Sequence, residues 1–289
     1  MLPSVRATDR GALVVRGARL AWGVRTYVMG IVNVTPDSFS GDGLTDAEAA
    51  VAHGLAQLAA GADVIDVGAE STRPGYTPIS IDEECARLLP VIAGLRARAP
   101  GAILSIDSFK PEVVRAAQRA GGDLINSIWG LDDDLLATAR QTNAPVIIMH
   151  NKRVAIYETD VVDEVLADLE RQAQRAVNAG IARERVILDP GIGFGKLPEH
   201  NLAVLAKLGR LVARGFPTML GASRKSTLGK LTGRPVGERV FATAATVALA
   251  VAAGVDVVRV HDVAEIRDVV RVADAIVRGW RPDDWKPQL

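Results

Sequence analysis

Eight short apolar segments alternate with longer segments of helical periodicity, and this alternation constrains the fold more than any other feature of the sequence. The segments are 27–33, 63–69, 102–108, 124–128, 145–150, 186–191, 218–223 and 257–262. Strands that are apolar on both faces and are each followed by a helix indicate a parallel sheet covered by helices. Eight such units in about 250 residues favour an α/β fold of the closed (β/α)8 barrel type. An open, doubly wound sheet is the alternative.

Several of the intervening segments are rich in alanine and end at or near a glycine, as helices commonly do. They include 46–61, 110–122, 161–180 and 239–255. Ahead of the first barrel strand, "ALVVRGARLAWG" (12–23) predicts a β-hairpin that plugs the N-terminal end of the barrel. The sequence has no linker, so we predict one domain over 1–289, with 1–26 as an N-terminal hairpin extension and 280–289 as a C-terminal tail.

The balanced charge excludes partners that would be attracted by the net charge of the whole protein. Lys and Arg together number 34, as do Asp and Glu, so the sequence predicts neither a nucleic acid nor an anionic membrane as partner. The N-terminus carries charges where a secretory signal needs an apolar run, and we expect a cytoplasmic protein. The single cysteine, Cys85, excludes an intramolecular disulfide; its helical spacing predicts a core or half-core thiol.

Polar side chains stand where the predicted strands end. A single residue of this kind is commonly a turn former or helix cap. In a (β/α)8 barrel, however, the C-terminal strand ends converge and carry the active site, and polar groups at so many of these ends predict a site there. The groups are Asn33, "ESTRPG" (70–75), Asp107, Asn126, Asp189, Ser223-Arg224-Lys225, and Arg259 with His261.

One set of these groups suits a flat, polar ring. Asp107, Asn126 and Asp189 offer carboxylate and amide oxygens at the mouth of a narrow core. A carboxylate that faces an N–C–N edge can accept two hydrogen bonds at once. The sequence therefore predicts a pocket for a polar aromatic heterocycle with several N–H donors.

A second set is cationic and suits an anion. Lys225, Arg259 and His261, with Arg73 and Asn33 on neighbouring loops, gather positive charge in a chain of zero net charge. Barrels commonly hold phosphate on the loops after strands seven and eight, next to a helix N-terminus. His261 alone could equally be a structural histidine, and its position two residues after Arg259 favours the site.

The segment "ILDPGIGFGK" (187–196) leaves two interpretations open. Its glycines, Gly191, Gly193 and Gly195, depart from the spacing of known phosphate-binding loops. Either they let the backbone pass close to a bound ring, with Phe194 lining the pocket and Lys196 at its edge, or they serve only to turn the chain tightly.

Six motifs in one order are similar to those of the dihydropteroate synthase family, from about residue 27 to 279. They are "GIVNVTPDSFSGDG", "DVGAESTRPG", "SIDSFKPEV", "ILDPGIGFGK", "GASRKSTLG" and "VVRVHDV". The resemblance implies a transferase of folate biosynthesis and a sulfonamide target. It would join 6-hydroxymethyl-7,8-dihydropterin diphosphate to p-aminobenzoate, releasing pyrophosphate and 7,8-dihydropteroate.

The resemblance also implies roles for individual residues, with Asp107, Lys225, Arg259 and His261 in the chemistry. The pterin pocket would comprise Asp107, Asn126, Asp189 and Lys225, with Met149, Phe194 and Gly221 as walls. Pyrophosphate would be held by Asn33, Arg73, Arg259 and His261, with Mg²⁺ bridging it to Asn33. The p-aminobenzoate would lie near Asp37, Phe39, Thr72, Arg73, Pro74 and Ser226, under two loops that close over the site. The family is commonly a homodimer through its last helices.

Departures from the family pattern keep other functions in view. Ser127 stands where most members have Asp, Trp129 follows it, and "MHNKR" (149–153) replaces the more common "MHMRG". We expect altered loop packing with the pterin contacts intact. The alternatives are a catalytically inactive pterin-binding barrel, a relative of the methyltetrahydrofolate methyltransferases, and a barrel that serves only as an interaction subunit.

Overall fold

The computed structural model of the chain describes residues 10–35, 46–71, 77–282 and 285–286. Within these ranges, eight parallel strands form one sheet in the spatial order β8-β7-β6-β5-β4-β3-β10-β9. The strands are β3 (Tyr27–Asn33), β4 (Val64–Gly68), β5 (Ile103–Asp107), β6 (Leu124–Ser127), β7 (Val146–Met149), β8 (Val186–Asp189), β9 (Met219–Leu220) and β10 (Val257–Val260). A parallel bridge between Leu188 and Thr218 joins the two edges. The predicted (β/α)8 barrel is confirmed, and the open sheet is excluded.

Helices cover the outside of the barrel, and the predicted helical segments are confirmed. The described helices are α1 (Ala47–Ala60), α2 (Ile81–Arg98), α3 (Pro111–Arg119), α4 (Asp133–Thr142), α5 (Val161–Asn178), α6 (Pro198–Ala206), α7 (Leu208–Val212), α8 (Ser226–Thr232), α9 (Val240–Ala253) and α10 (Val263–Val277). Several have sequence-encoded ends. Asp46 caps α1 by accepting from the Glu48 N–H, and Gly61 ends it in the left-handed conformation. None of the helices in the described ranges is long and apolar enough to cross a membrane.

The predicted hairpin is present as β1 (Ala12–Val15) and β2 (Ala18–Ala21). Its turn places Arg16 at φ 52° and Gly17 at φ 78°, a pair of positive values that suits a two-residue hairpin turn. Arg10, just before the hairpin, holds Asp256 at the start of β10 through two bonds of 2.7 and 2.8 Å. The hairpin is thereby fastened to the lower end of the barrel.

Below the strand ends the barrel interior contains two layers of side chains, because alternate residues of each strand face inward. The lower layer is apolar and packs against Leu13, Leu20 and Trp22 of the hairpin region. It comprises Met29, Val64, Ile103, Leu124, Ile147, Ile187, Met219 and Val257. Two residues further along each strand lies the upper layer. It comprises Ile31, Asp66, Ser105, Asn126, Met149, Asp189, Gly221 and Arg259.

The opposite face of the same strands packs against the helices. Residues such as Ile65, Leu104, Ile125 and Leu188 belong to one large buried cluster between sheet and helices. Cys85 on α2 lies partly buried against this cluster, as predicted for a half-core thiol. The apolar outer face and the apolar lower layer together fix the strands, which leaves the upper layer available for polar side chains.

Candidate active site

Arg259 is the centre of the upper layer. Its Nε lies 2.6 Å from Oδ2 of Asp66, and its Nη2 lies 2.7 Å from Oδ2 of Asp107. Asp66 also accepts a hydrogen bond of 3.1 Å from Nδ2 of Asn126. The structure thus brings three residues predicted from the strand ends into one network, and it joins them through a fourth, Asp66.

Burial and charge act on this network in opposite directions. Burial raises the pKa of Asp107 to about 7, against the lowering effect of Arg259, and the neighbouring Asp66 raises it further. Burial also disfavours the charge of Arg259, but the carboxylates of Asp66 and Asp107 outweigh it and raise the pKa of Arg259. Arg259 therefore stays charged, while Asp107 can take up a proton near neutral pH.

Asp189 lies on the other side of the same interior. Its Oδ1 accepts the backbone N–H of Gly191 at 2.7 Å, and burial raises its pKa. A Cβ at Gly221 would come to 3.6 Å from Oδ2 of Asp189 and 4.0 Å from the Arg259 side chain. Met149 pairs with Asp189 in register. The glycine keeps the space above Asp189 open, and Met149 and Gly221, the two predicted wall residues, both lie beside Asp189.

The backbone of Arg224 has an unusual conformation, with φ 55°, and this conformation sets the direction of the Lys225 side chain. This left-handed conformation is disfavoured in a non-glycine residue. The Arg224 side chain binds Asp262, and its backbone N–H donates to Thr243 Oγ1 at 3.1 Å. These contacts offset the strain. Beyond the turn, Lys225 Nζ lies 3.9 Å from the centre of the Phe194 ring, which places both predicted residues together.

The glycines of 187–196 are explained by close packing of the backbone. A Cβ at Gly191 would lie 2.0 Å from the His150 carbonyl oxygen, and one at Gly195 would lie 2.4 Å from that of Lys152. Both have positive φ. Tight turning against the segment after β7 thus accounts for these two positions, in favour of the second of the two interpretations.

Lys196 fastens this glycine-containing turn. Its Nζ lies 2.8 Å from His150 Nδ1 and donates to the carbonyl oxygens of Gly191 and Phe194, both at 3.1 Å. Burial lowers the pKa of Lys196 to about 7, and burial with the Lys196 charge lowers that of His150 to about 4. Lys196 therefore holds the loop that carries Phe194.

His261 stands at the C-terminal end of β10. Its backbone N–H donates to Ser223 Oγ at 3.2 Å, and its Nδ1 lies 3.0 Å from the same oxygen. Both contacts are satisfied when the hydroxyl donates to Nδ1, which puts the proton of the neutral imidazole on Nε2. Burial, with the charges of Arg259, Arg224 and Lys225, lowers the His261 pKa to about 3. His261 is neutral and presents an N–H donor.

Asn33 ends β3 and is half-buried, across Gly68 from Asp107. Among the described residues, no group of three His, Cys, Asp or Glu side chains could hold a metal ion. Mg²⁺, however, commonly takes only one or two protein oxygens and completes its shell with waters and substrate phosphates. The amide oxygen of Asn33 fits that limited role.

The remaining predicted residues fall into two groups. Ser226 is exposed at the first residue of α8, next to Lys225. The other residues expected near p-aminobenzoate or pyrophosphate lie outside the described residues. They are Asp37, Phe39, Thr72, Arg73 and Pro74.

The departures at 127 and 129 lie at the C-terminal end of β6 and just beyond it. Ser127 follows Asn126 on β6, and therefore faces the outside of the barrel, where its side chain is buried. Trp129 is half-buried, with the guanidinium of Arg153 at 5.4 Å from its ring. Ser127 thus alters packing behind the strand and not its inward face, and Trp129 packs with Arg153 in the segment that follows.

Asp66 is the site residue that sequence reasoning missed. It was not predicted, because only the strand ends were considered and Asp66 lies two residues before the end of an apolar strand. The signal was the period of two, which places Val64, Asp66 and Gly68 on one inward face.

A parallel (β/α)8 barrel whose upper interior holds carboxylates, an amide, a guanidinium and a lysine is typical of an enzyme that binds a polar ring. The family of pterin binding enzymes matches residues 29–261. The dihydropteroate synthase of Clostridium beijerinckii is 43% identical over 89% of this chain and 96% of its own length. The chain belongs to the dihydropteroate synthase family.

Solved structures agree with this assignment. The dihydropteroate synthase of Xanthomonas albilineans with 4-aminobenzoic acid has a TM-score of 0.87 and 44% identity, covering 93% of this chain and 98% of that one. The Yersinia pestis dihydropteroate synthase in a sulfonamide drug complex has a TM-score of 0.87 and 37% identity, covering 92% and 99%. The predicted family and fold are confirmed.

Proposed function

We propose that the chain condenses 6-hydroxymethyl-7,8-dihydropterin diphosphate with p-aminobenzoate, yielding 7,8-dihydropteroate and pyrophosphate. The observation that carries this proposal is the convergence on Arg259 of Asn126 and Asp189 in the upper layer and of Asp107 just above it. The relative from X. albilineans with 4-aminobenzoic acid supports the second substrate.

In this proposal the pterin ring lies over the upper layer. Asp189 and Asn126 accept ring N–H donors, and Lys225 donates to a ring acceptor beside Phe194. Met149 and Gly221 form the walls. Each carboxylate is surrounded by low-dielectric packing, which strengthens its hydrogen bonds to the ring.

The diphosphate would lie at the upper rim of the barrel. Arg259 and the Nε2–H of His261 would hold its oxygens, together with Asn33 and Arg73. Mg²⁺, held by Asn33 and the diphosphate, would supply charge neutralisation to the leaving group. The p-aminobenzoate would lie near Phe39, Thr72, Arg73, Pro74 and Ser226.

The chemistry that this arrangement favours is dissociative. The C–O bond breaks first, and its electron pair leaves with pyrophosphate, whose charge Arg259 and His261 stabilise. Positive charge on the exocyclic carbon is delocalised into the ring, where the carboxylates of Asp107 and Asp189 stabilise it. The p-aminobenzoate nitrogen then bonds to that carbon and loses a proton. No side chain acts as a covalent nucleophile.

Pyrophosphate release tests the proposal. Purified protein with dihydropterin diphosphate, p-aminobenzoate and Mg²⁺ should release pyrophosphate, and omission of any of the three should stop it. A methyltransferase relative or an inactive pterin-binding barrel would bind the pterin and release none. Binding measured by calorimetry in parallel separates these outcomes.

We further propose a homodimer through α9 and α10. Phe241 is 86% exposed and Ile276 70% exposed, and Leu249 and Val272 are exposed on the same two packed helices. Large apolar side chains grouped in this way are typical of protein interfaces. Ile276→Glu should give a monomer by sedimentation analysis, while Ile156→Glu, at an exposed apolar residue after β7, should leave the dimer intact.

The remaining proposals concern the chain as a whole. We propose one domain over 1–289, since the hairpin contributes Leu13 and Leu20 to the barrel's own lower layer. Residues 1–26 would then be an extension and 280–289 a tail. We propose the cytoplasm as its compartment, which suits a chain whose single cysteine is a partly buried thiol.

A further inference from the structure

Asp66 is a buried carboxylate that accepts hydrogen bonds from two residues on one of its oxygens. Its side chain is 0% exposed on β4, and Oδ2 accepts from Nδ2 of Asn126 and from Nε of Arg259. The two partners come from β6 and β10, on either side of β4 across the barrel interior. Asp66 therefore joins a residue proposed to bind the ring with one proposed to stabilise the leaving group.

Folding stability does not explain this carboxylate. Its other oxygen, Oδ1, and the hydroxyl of the register-paired Ser105 are both buried without a hydrogen-bond partner among the described residues. A buried carboxylate with an unsatisfied oxygen is costly, and apolar replacements of buried ion pairs are often neutral or stabilising. A buried polar atom that is left without a hydrogen bond is expected where function requires it.

The contact with Asn126 fixes the direction of its amide. An amide has one donor end and one acceptor end, and a carboxylate accepts only. Because Nδ2 of Asn126 donates to Asp66, the carbonyl oxygen of Asn126 must face away from it. Asp66 thus selects the orientation in which Asn126 can accept an N–H donor of the ring.

The contact with Arg259 fixes the plane of its guanidinium. Asp66 holds Nε at 2.6 Å and Asp107 holds Nη2 at 2.7 Å, so two edges of a rigid, planar group are restrained. Nη1 remains outside both of these contacts. A guanidinium held in this way keeps its position while charge develops on the leaving group.

We infer that Asp66 is a positioning residue for the transfer reaction, which orients the Asn126 amide toward the pterin and the Arg259 guanidinium toward the diphosphate. The inference rests on the proposed function. Holding Arg259 requires the negative charge of Asp66, whereas orienting Asn126 requires only an oxygen that accepts a hydrogen bond.

Two substitutions separate these requirements. Asp66→Asn keeps an acceptor of the same shape and removes the charge, so kcat should fall about 10- to 100-fold while pterin affinity changes less than about threefold. Asp66→Ala removes both, so pterin affinity should also fall, about tenfold or more. Asn126→Ala should then add little further loss of affinity to Asp66→Ala, because both changes remove one contact.

Asp256→Asn is the matched control. Asp256 is equally buried and paired with an arginine, Arg10, but at the lower end of the barrel. It should lose stability and keep kcat. Equal losses of kcat in Asp66→Asn and Asp256→Asn, or an unchanged kcat in folded Asp66→Asn, would overturn the inference.

Pterin affinity keeps this test separate from the proposed function. If the wild-type protein released no pyrophosphate, the proposed function would fail. Calorimetry with an unreactive pterin would still test Asp66, since unchanged affinity in folded Asp66→Ala would remove its role in orienting Asn126.

Discussion

The two layers of the barrel interior are built by the same eight strands and differ only in height, yet they are opposite in chemistry. The lower layer is apolar and packs against the hairpin. The upper layer contains Asp66, Asn126, Asp189 and Arg259, and its Asp66 Oδ1 and Ser105 Oγ have no hydrogen-bond partner within the described ranges. A barrel can thus use one end of its strands for folding and the other end for binding. The polar layer is tolerable because the layer beneath it and the outer face provide the packing.

Truncation in the lower layer should give the largest effect. Leu124→Ala removes a fully buried side chain and should lower the free energy of unfolding by about 2 to 5 kcal/mol. The kcat of the protein that remains folded should not change. Urea unfolding and steady-state kinetics at low temperature measure both quantities. Val14→Ala, at an exposed position of the hairpin, serves as control. A fall in kcat without loss of stability would contradict the assignment of this layer.

Arg259→Lys tests the upper layer without removing its charge. The ammonium cannot span Asp66 and Asp107 as the planar guanidinium does. We expect kcat to fall about 100-fold, which corresponds to about 2.7 kcal/mol, with a much smaller change in affinity for free pterin. Arg271→Lys, at an exposed position of α10, is the control. Equal losses of kcat and pterin affinity would count against a role on the leaving group.

Asp107→Asn should reveal what the polar layer costs in stability. The pKa of Asp107 is raised from 3.8 to about 7 in the folded chain. Between about pH 4 and 7 the unfolded chain releases this proton while the folded chain keeps it, so the cost grows as pH rises and is constant above 7.

Above pH 7 Asp107→Asn should therefore be more stable than wild type, by up to about 4 kcal/mol. The difference should vanish toward pH 4. Urea unfolding at a series of pH values measures it. A difference that is the same at every pH would show that Asp107 is ionised throughout.

His261 should give the smallest signal. Its pKa is lowered to about 3 by burial and by neighbouring cations, so the free protein holds it neutral. A bound diphosphate adds negative charge and should raise this pKa, with uptake of a fraction of a proton near pH 6. Calorimetry of pyrophosphate binding in buffers of different ionisation enthalpy detects the uptake. His261→Gln should show less uptake than wild type, and equal uptake would remove His261 from the site.

Sequence reasoning predicted the strands and the ends of the strands well, for physical reasons. The ends of the apolar strands and of the alanine-rich helices can be read from the residues that flank them. Polar residues such as Asp107, Asn126 and Asp189 are conspicuous where an apolar run stops. Asp66 was missed because it lies inside a run. Its partner Arg259 is distant in the sequence, and only the barrel brings the two together.

The charge of Arg259 shows the same limit. The sequence suggested a cationic group at the strand ends, because it shows which residues can carry charge but not which of them are paired or buried. In the structure Arg259 is already paired with two carboxylates, and His261 is neutral. Those states depend on burial and on neighbours from other strands, which no local pattern encodes.

A matched pair on β8 tests the division between the layers most directly. Ile187 lies in the lower layer and Asp189 in the upper layer, two residues apart on one strand. Asp189→Asn should weaken pterin binding by about 2 to 4 kcal/mol without lowering the free energy of unfolding. Ile187→Val should lower the free energy of unfolding by about 0.5 to 1.5 kcal/mol and leave pterin affinity unchanged. Calorimetry that finds unchanged pterin affinity in Asp189→Asn, or an equal loss in both variants, would contradict this account.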